Sequence, residues 1–513
     1  MRKLGIFAIF PPGAALSEEG LGRYLEILLR EATATPGWQD EFEVVLNVPP
    51  WSKNWGRKVT KGTPILLHTL RIRTVGGAFL YFWGNKKSFF KFREKEIRTR
   101  RSNVPAIAWT IHKWSAGIIN VRRSNPLYGL LRGGCKFFAR GVLYLVRRIR
   151  RREFVNIVSD VDLATAPLVR SESVGLRKLF DSFFKKESTE AVDRESKKYD
   201  FIYLAHNRIP FRKASPPVAA LIPDLIPLEH SELFENHSSR WKFLKKDIEE
   251  TCKSSKIWIT FSNETIAVAG RLKMLSGETQ VIVIPHASQP PSHEWSDYLS
   301  QSDAGMGKPW TDYWWRMGLV KVSNPIFQNA VFNNRLLYCL YPTQYRPHKN
   351  IEQLIESWPK VLQSFPTVKL VLTADPVKNP FLVELVNALG LSLSVLFIPK
   401  MNGSELAAWT LRAQLVISAS ATEGAMPFMV SEALSAGVPF LISDTAVSRE
   451  ILSKEIQGIS FLKQDDYASS IIKSLKFRSQ ILEKQEKWFS GYNRSWADVW
   501  SDWIDVARRE LDE

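Results

Sequence analysis

Two short stretches in the second half of this 513-residue chain hold residue types that could bind an anion and a polyol side by side. The first, "TQYRPHKN" at 343–350, places Arg346, His348 and Lys349 within four residues. It follows the apolar run "RLLYCLYP" and precedes the amphipathic run "NIEQLIESW". A helix N-terminus offers free N–H groups and partial positive charge, so cations added there suit a diphosphate. A solvated turn with ordinary surface cations would show the same local pattern. The second stretch, "TEGAMPFMVSEALSAGVP" at 422–439, holds Glu423 in a loop and Glu432 about one turn into a helix. A carboxylate accepts two hydrogen bonds from a vicinal diol such as that of ribose. A loop carboxylate beside free amides can hold sugar hydroxyls. The plainer readings are a turn cap for Glu423 and an exposed helix position for Glu432.

These loops need a frame that aims them at one place. Near-continuously apolar runs read as strands buried on both faces. In the first half these are "KLGIFAIF", "FEVVLNV", "PAIAWTI", "FVNIVS", "DFIYLA", "PVAALIP", "KIWITFS" and "QVIVIPH". In the second they are "RLLYCLYP", "VKLVLTAD", "SVLFIPK", "QLVISAS", "PFLISD" and "GISFL", alternating with helix-like segments. Alternating βα units imply parallel sheets covered by helices. A Pro-, Ser- and Gly-rich stretch from 284 to 310 divides the two series. The expected division is a first Rossmann-like domain over 1–287, a linker and entry segment over 288–334, a second Rossmann-like domain over 335–489, and a terminal helix over 490–513 that crosses back. Ligands of such sheets sit beyond the carboxyl ends of the strands, so the cleft between the domains is the expected site. Residues 170–199, polar and mixed in charge, read as an exposed connection.

Composition narrows the class. With 45% hydrophobic residues the chain can bury sizeable cores. No apolar run approaches the roughly 18 residues of a membrane span. The N-terminal "MRKLGIFAIFPPG" reads as a first buried strand, not a signal peptide. Cys135, Cys252 and Cys339 stand far apart, without metal or disulfide spacing, which suits a reducing cytoplasm. No clustered His and Asp ligand set at metal-like spacing points to a metal, and no cofactor is expected. The net charge of +18 is concentrated between Lys86 and Arg152, where 19 Lys and Arg face two acids. The rest is near neutral, which disfavours a nucleic-acid binder. Within that segment, Leu127, Leu130, Leu131, Phe138, Val142 and Leu145 recur at near-helical spacing with arginines between them. This reads as a basic amphipathic helix, bent at Gly133–Gly134, that could lie on an anionic membrane. A solvated basic face is the alternative.

Taken in order, "YPTQYRPHKNIEQLIESW", "KLVLTAD" and "SASATEGAMPFMVSEALSAGVPFLISDTAVSREI" resemble the C-terminal half of family-four retaining glycosyltransferases of GT-B fold. The resemblance covers roughly residues 335–465. It implies an α/β protein of two doubly wound, Rossmann-like domains facing across a cleft. It also implies transfer of a sugar from a nucleotide-diphosphate donor, with retained configuration, to a glycan or lipid-linked acceptor in cell-surface polysaccharide or glycolipid synthesis. Lys349 and Arg346 would hold the diphosphate, with Gln344 beside them, and Glu432 the ribose. Glu423 would grip the sugar with the amides of Gly424, Ala425, Met426, Pro427 and Phe428. From the first domain, "PPGAALSEEGLGR" resembles the family's glycine loop, bringing Gly20, Gly22 and Arg23 to the donor phosphates, while Asp224 faces the acceptor. The implied location is cytoplasmic, peripheral at the inner membrane face. Three positions depart from the family pattern. Eight residues separate the glutamates where seven are usual, Gln344 stands in place of an arginine, and Pro223 in place of a histidine. Those departures motivate one rival, a GT-B partner protein without turnover. The basic segment motivates another, a nucleic-acid-binding protein.

Overall fold

The computed structural model describes residues 1–10, 20–72, 189–206, 216–235, 241–288, 306–319, 336–463 and 466–512, with isolated positions between them. The basic segment 86–152, its amphipathic helix, and the expected strands "PAIAWTI" and "FVNIVS" lie outside the described residues.

Seven strands form the first sheet: β1 (Arg2–Phe7), β2 (Phe42–Val48), β3 (Leu66–Thr69), β4 (Phe201–Leu204), β5 (Val218–Leu221), β6 (Ile257–Thr260) and β7 (Gln280–Val283). Their order is β3-β2-β1-β4-β5-β6-β7, and every pair is parallel. Six strands form the second: β8 (Tyr338–Tyr341), β9 (Lys369–Leu372), β10 (Val395–Phe397), β11 (Leu415–Ser418), β12 (Phe440–Ser443) and β13 (Phe461–Leu462). Their order is β10-β9-β8-β11-β12-β13, again parallel. Both sheets run outward from a central pair and reverse direction there, which is the doubly wound Rossmann order.

The strand sequences explain the layers. Side chains alternate across each sheet. On β4, Phe201 and Tyr203 pack on one face and Ile202 and Leu204 on the other, all buried. The helix Trp496–Asp512 carries Trp496, Val499, Trp500, Trp503 and Ile504 at helical spacing. It buries them against Tyr24, Leu25 and Leu28 of the helix Gly20–Glu31 in the first domain. Trp503 Nε1 donates to Tyr24 Oη at 3.2 Å, and Tyr203 Oη donates to the Trp503 carbonyl. Apolar burial of this kind dominates stability, and replacing one such tryptophan by alanine typically costs about 3–5 kcal/mol.

Three expectations change. β3 was not among the expected strands, because "LLHT" is short and half exposed. The linker stretch contains a helix, Gly307–Leu319, whose Trp315 is buried in the core of the second sheet. Its proline, Pro309, falls in the first turn, where no backbone N–H is needed, so the residue that suggested a loop is compatible with a helix start. The described end of the 170–199 connection, residues 189–196, is helical. It buries Ala191 and Val192 and is therefore not simply exposed.

Candidate active site

In the second sheet the order reverses between β8 and β11. The loops after these two strands are the two stretches that carry the candidate residues. They are far apart in sequence but side by side in space, because the topology places them at the switch point.

After β8 the chain turns through Arg346 in extended conformation, then a short 3-10 turn Pro347–Lys349. It enters the helix Ile351–Ser364 from Asn350 in the left-handed region, at φ 47°. Arg346 and Gln344 are exposed. His348 is not a third cation. It is buried, and desolvation together with the Lys349 charge pushes its pKa down to about 3, so it is neutral. Its carbonyl accepts the Ala421 N–H at 2.7 Å, and the Lys349 carbonyl accepts Tyr341 Oη at 2.9 Å. These bonds tie the turn to the loop after β11 and to the sheet. Lys349 Nζ then meets Glu423 Oε1 at 2.6 Å, with both side chains about one-fifth exposed. Burial pushes the Glu423 carboxyl up. The Lys349 charge and hydrogen bond, with a hydrogen bond from Ser420, outweigh that and hold it below the ordinary carboxylate value.

The eight residues between Glu423 and Glu432 span the loop Gly424–Pro427 and the first turn of the helix Phe428–Ser435. The segment faces two ways. Ala425 and Phe428 pack on the first domain's core, whereas Met426 and Met429 pack in the second's. Gly424 presses so closely on the first domain that a Cβ there would lie 2.3 Å from the Pro223 carbonyl and 2.4 Å from Asp224 Cβ. Asp224 accepts the Ile226 N–H at 3.3 Å. Past the helix, Gly437 closes the C-terminus in the left-handed region, at φ 64°, where glycine is favoured.

Glu432 is buried, its side chain 5% exposed, and it forms an ion pair with Arg23 of the first domain. Arg23 also lies over the Phe428 ring, its Cζ 5.5 Å from the centroid. Gly22 is buried one residue away, while Gly20 is exposed, and a Cβ at 20 would meet nothing. The structure therefore joins Lys349 to Glu423 and Arg23 to Glu432, and sets Gly424 on Asp224. It leaves Arg346, Gln344 and Gly20 at the solvent side of these contacts.

Other residues at the seam were not anticipated. Ser262 caps the helix Asn263–Arg271 and donates to the Gly424 carbonyl at 2.9 Å. Glu450 of the second domain accepts the N–H groups of Asn263 and Glu264 at 2.8 and 3.1 Å. The run "SNE" was the available signal, since it is a helix-capping sequence whose partner is remote. His286 is buried and stacks on Phe428 at 4.8 Å and 25°. Burial pushes its pKa down to about 3. Among the described residues no group of three or more His, Cys, Asp or Glu could hold a metal ion. None of the described helices is long and apolar enough to cross a membrane.

Residues 323–491 match the family model of glycosyl transferases group 1. That match takes in the whole second sheet and the helices between its strands. An uncharacterized glycosyltransferase of Methanocaldococcus jannaschii is 28% identical over 168 residues, or 31% of this chain. The match spans 42% of that relative's length. Among solved structures, sucrose-phosphate synthase of Thermosynechococcus elongatus aligns over all of both chains at TM-score 0.54 and 11% identity. The Anabaena protein HepE in complex with UDP-glucose aligns over 99% of this chain and all of its own, at TM-score 0.50 and 10% identity. At these identities the structural likeness speaks to fold. The fold is GT-B, and the domain that matches the family model supplies the Lys349, Glu423 and Glu432 loops of the cleft.

Proposed function

We propose that the chain is a retaining glycosyltransferase that moves a sugar from a nucleotide-diphosphate donor to a glycan or lipid-linked acceptor. The observation that carries this reading is the Lys349–Glu423 pair at the switch point of the group 1 domain, with buried Glu432 on the next helix. Lys349, assisted by Arg346 and by the N-terminus of the helix Ile351–Ser364, holds the diphosphate. Negative charge grows on that diphosphate as the glycosidic bond breaks, so cations fixed beside it lower the barrier. Glu432 accepts from the ribose diol. Glu423 and the backbone of Gly424–Phe428 hold the sugar hydroxyls, and Asp224 borders the sugar loop on the acceptor side. The departing phosphate takes the acceptor proton, so Pro223 in place of a histidine leaves the reaction intact. No cofactor is required, and the cations take the role a metal would have, so turnover persists in EDTA.

The complex with UDP-glucose of the Anabaena neighbour supports a nucleotide sugar as donor. The acceptor belongs to cell-surface polysaccharide or glycolipid synthesis at the cytoplasmic membrane face, with the basic segment 86–152 as the contact. Flotation with anionic vesicles at moderate salt tests that placement, and absence of binding removes it. Donor use is tested by a thermal-shift screen of nucleotides and nucleotide sugars, followed by donor hydrolysis. A nucleotide that shifts the wild type but not Glu432→Ala, with hydrolysis lost in Lys349→Ala, is the expected result. No shift with any nucleotide overturns the proposal.

A further inference from the structure

Glu432 does not present an open carboxylate to the cleft. Its Oε1 is taken by Nη2 of Arg23, and the pair is interdomain. Arg23 stands in the first turn of the helix Gly20–Glu31, beyond the end of β1. Its guanidinium touches two groups of the glycosyltransferase domain together, the Glu432 carboxylate and the Phe428 face. Phe428 is itself stacked against His286. Arg23 is thus held on the oxygen that the ribose diol would need. Lys349 and Glu423 are arranged likewise within one domain. Glu432 and Glu423 are thus each paired with a candidate phosphate-binding cation.

Resting on the assignment of Glu432 to ribose, we propose that Arg23 is a specificity-determining residue that makes ribose recognition conditional on phosphate. The diphosphate held by Lys349 on one side of the cleft meets the N-terminus of the helix Gly20–Glu31 on the other and offers Arg23 a bidentate partner, so the guanidinium can leave Glu432 without losing its counter-charge. The freed carboxylate then accepts the ribose hydroxyls. A nucleoside brings the diol but no anion. It must strand either the guanidinium or the buried carboxylate, and an unpaired buried charge is costly. The apparent affinity for a nucleoside is therefore reduced by the fraction of molecules in which Glu432 is free. Cleaved nucleoside is discriminated against while nucleoside diphosphate and nucleotide sugar are admitted.

Calorimetric titration of the full chain with adenosine, guanosine, cytidine and uridine, and with their diphosphates, tests this. For the base that binds, the wild type is expected to prefer diphosphate over nucleoside strongly. In Arg23→Ala the two affinities should move in opposite directions. Nucleoside tightens by about tenfold or more, the factor lost when roughly a tenth of molecules have Glu432 free, and diphosphate weakens. Arg23→Lys, which keeps a cation, should retain most of the wild-type preference. Weakening of both ligands together, or an unchanged nucleoside, overturns the proposal, because a plain phosphate contact or a structural role gives that pattern. Melting without ligand checks the fold, and Arg23→Gln gives the same reading should Arg23→Ala not fold. If Glu432→Gln leaves the diphosphate affinity unchanged, or if no diphosphate binds, the ribose assignment itself fails and this proposal with it.

Discussion

The two ion pairs at the cleft look alike and have different origins. Lys349 and Glu423 come from adjacent loops of one sheet, after β8 and β11, and His348, Tyr341 and Ala421 fasten those loops together. Arg23 and Glu432 come from different domains and meet only in this arrangement of the domains. The first pair is local geometry, present whenever the second domain is folded. The second reports on the cleft as a whole. Breaking each in turn separates what the group 1 domain does alone from what needs its partner domain.

The largest effect is expected from the local pair. Lys349→Ala should lower kcat/KM for donor hydrolysis by about 10²–10³, or about 2.7–4 kcal/mol of transition-state stabilisation, with the fold intact by melting. Glu432→Ala acts before chemistry. It should abolish nucleotide-dependent stabilisation, which in the wild type is about 2.7 kcal/mol at 100 times Kd, whereas Glu423→Ala should keep it for a nucleoside diphosphate and lose the extra contribution of the sugar. Equal loss in both variants would remove the division of labour between the glutamates. Gly424→Ala forces a methyl into the Pro223–Asp224 backbone, and overpacking of this kind costs about 1–3 kcal/mol. It should pry the domains apart, weaken the Arg23–Glu432 pair and spare Lys349–Glu423, read as more small-angle scattering at larger radius with little change in the second domain's exchange protection.

pH separates the seam from the loops more gently. His286 and His348 are held neutral in the folded chain, their pKa values lowered from 6.5 to about 3. Between those values the unfolded chain binds more protons, so the stability is fully present above 6.5 and is lost as pH drops from there toward 3. Each histidine contributes a loss of about 1.4 kcal/mol per pH unit there. His286→Phe should flatten the melting temperature between pH 6 and 4 by one histidine's share. An unchanged slope would mean that His286 gains protons in place. The smallest effect is a control remote from the cleft. Arg508 bridges Glu41 at 2.9 and 2.8 Å across a largely exposed surface. Arg508→Ala should cost about 0.2–1 kcal/mol and leave donor binding as it was.

The second domain was legible because its signals are local. "RLLYCLYP", "QLVISAS" and "PFLISD" are short apolar runs of strand length, and the glycine and proline of "AGVP" mark a helix end and the next strand. The first domain was harder to read. β3 offers no apolar alternation, and even the helix Gly307–Leu319, which packs on the second sheet, begins with residues that suggest a turn. The site divides in the same way. Lys349, Glu423 and Glu432 stand out through the family resemblance of the ordered motifs, but nothing near Glu432 in the sequence names Arg23, 409 residues away, as its partner. Ser262, Glu450 and His286 are ordinary residues until the domains meet. Tertiary pairing of this kind is written in no window of the chain. His348 failed as a cation for a related reason, since its burial depends on the sheet and not on its neighbours.

The helix Trp496–Asp512 has a consequence for how the molecule is made. It follows the second domain in sequence, yet its tryptophans complete the core of the first. During synthesis from the N-terminus, β1 to β7 emerge long before that helix, with Tyr24, Leu28 and Tyr203 still facing water. The first domain must wait with an open apolar groove, a state prone to misassembly or chaperone capture. Its final consolidation depends on contacts of very large sequence separation, which form slowly. An element translated after the second domain is thus the one that lets the first domain close.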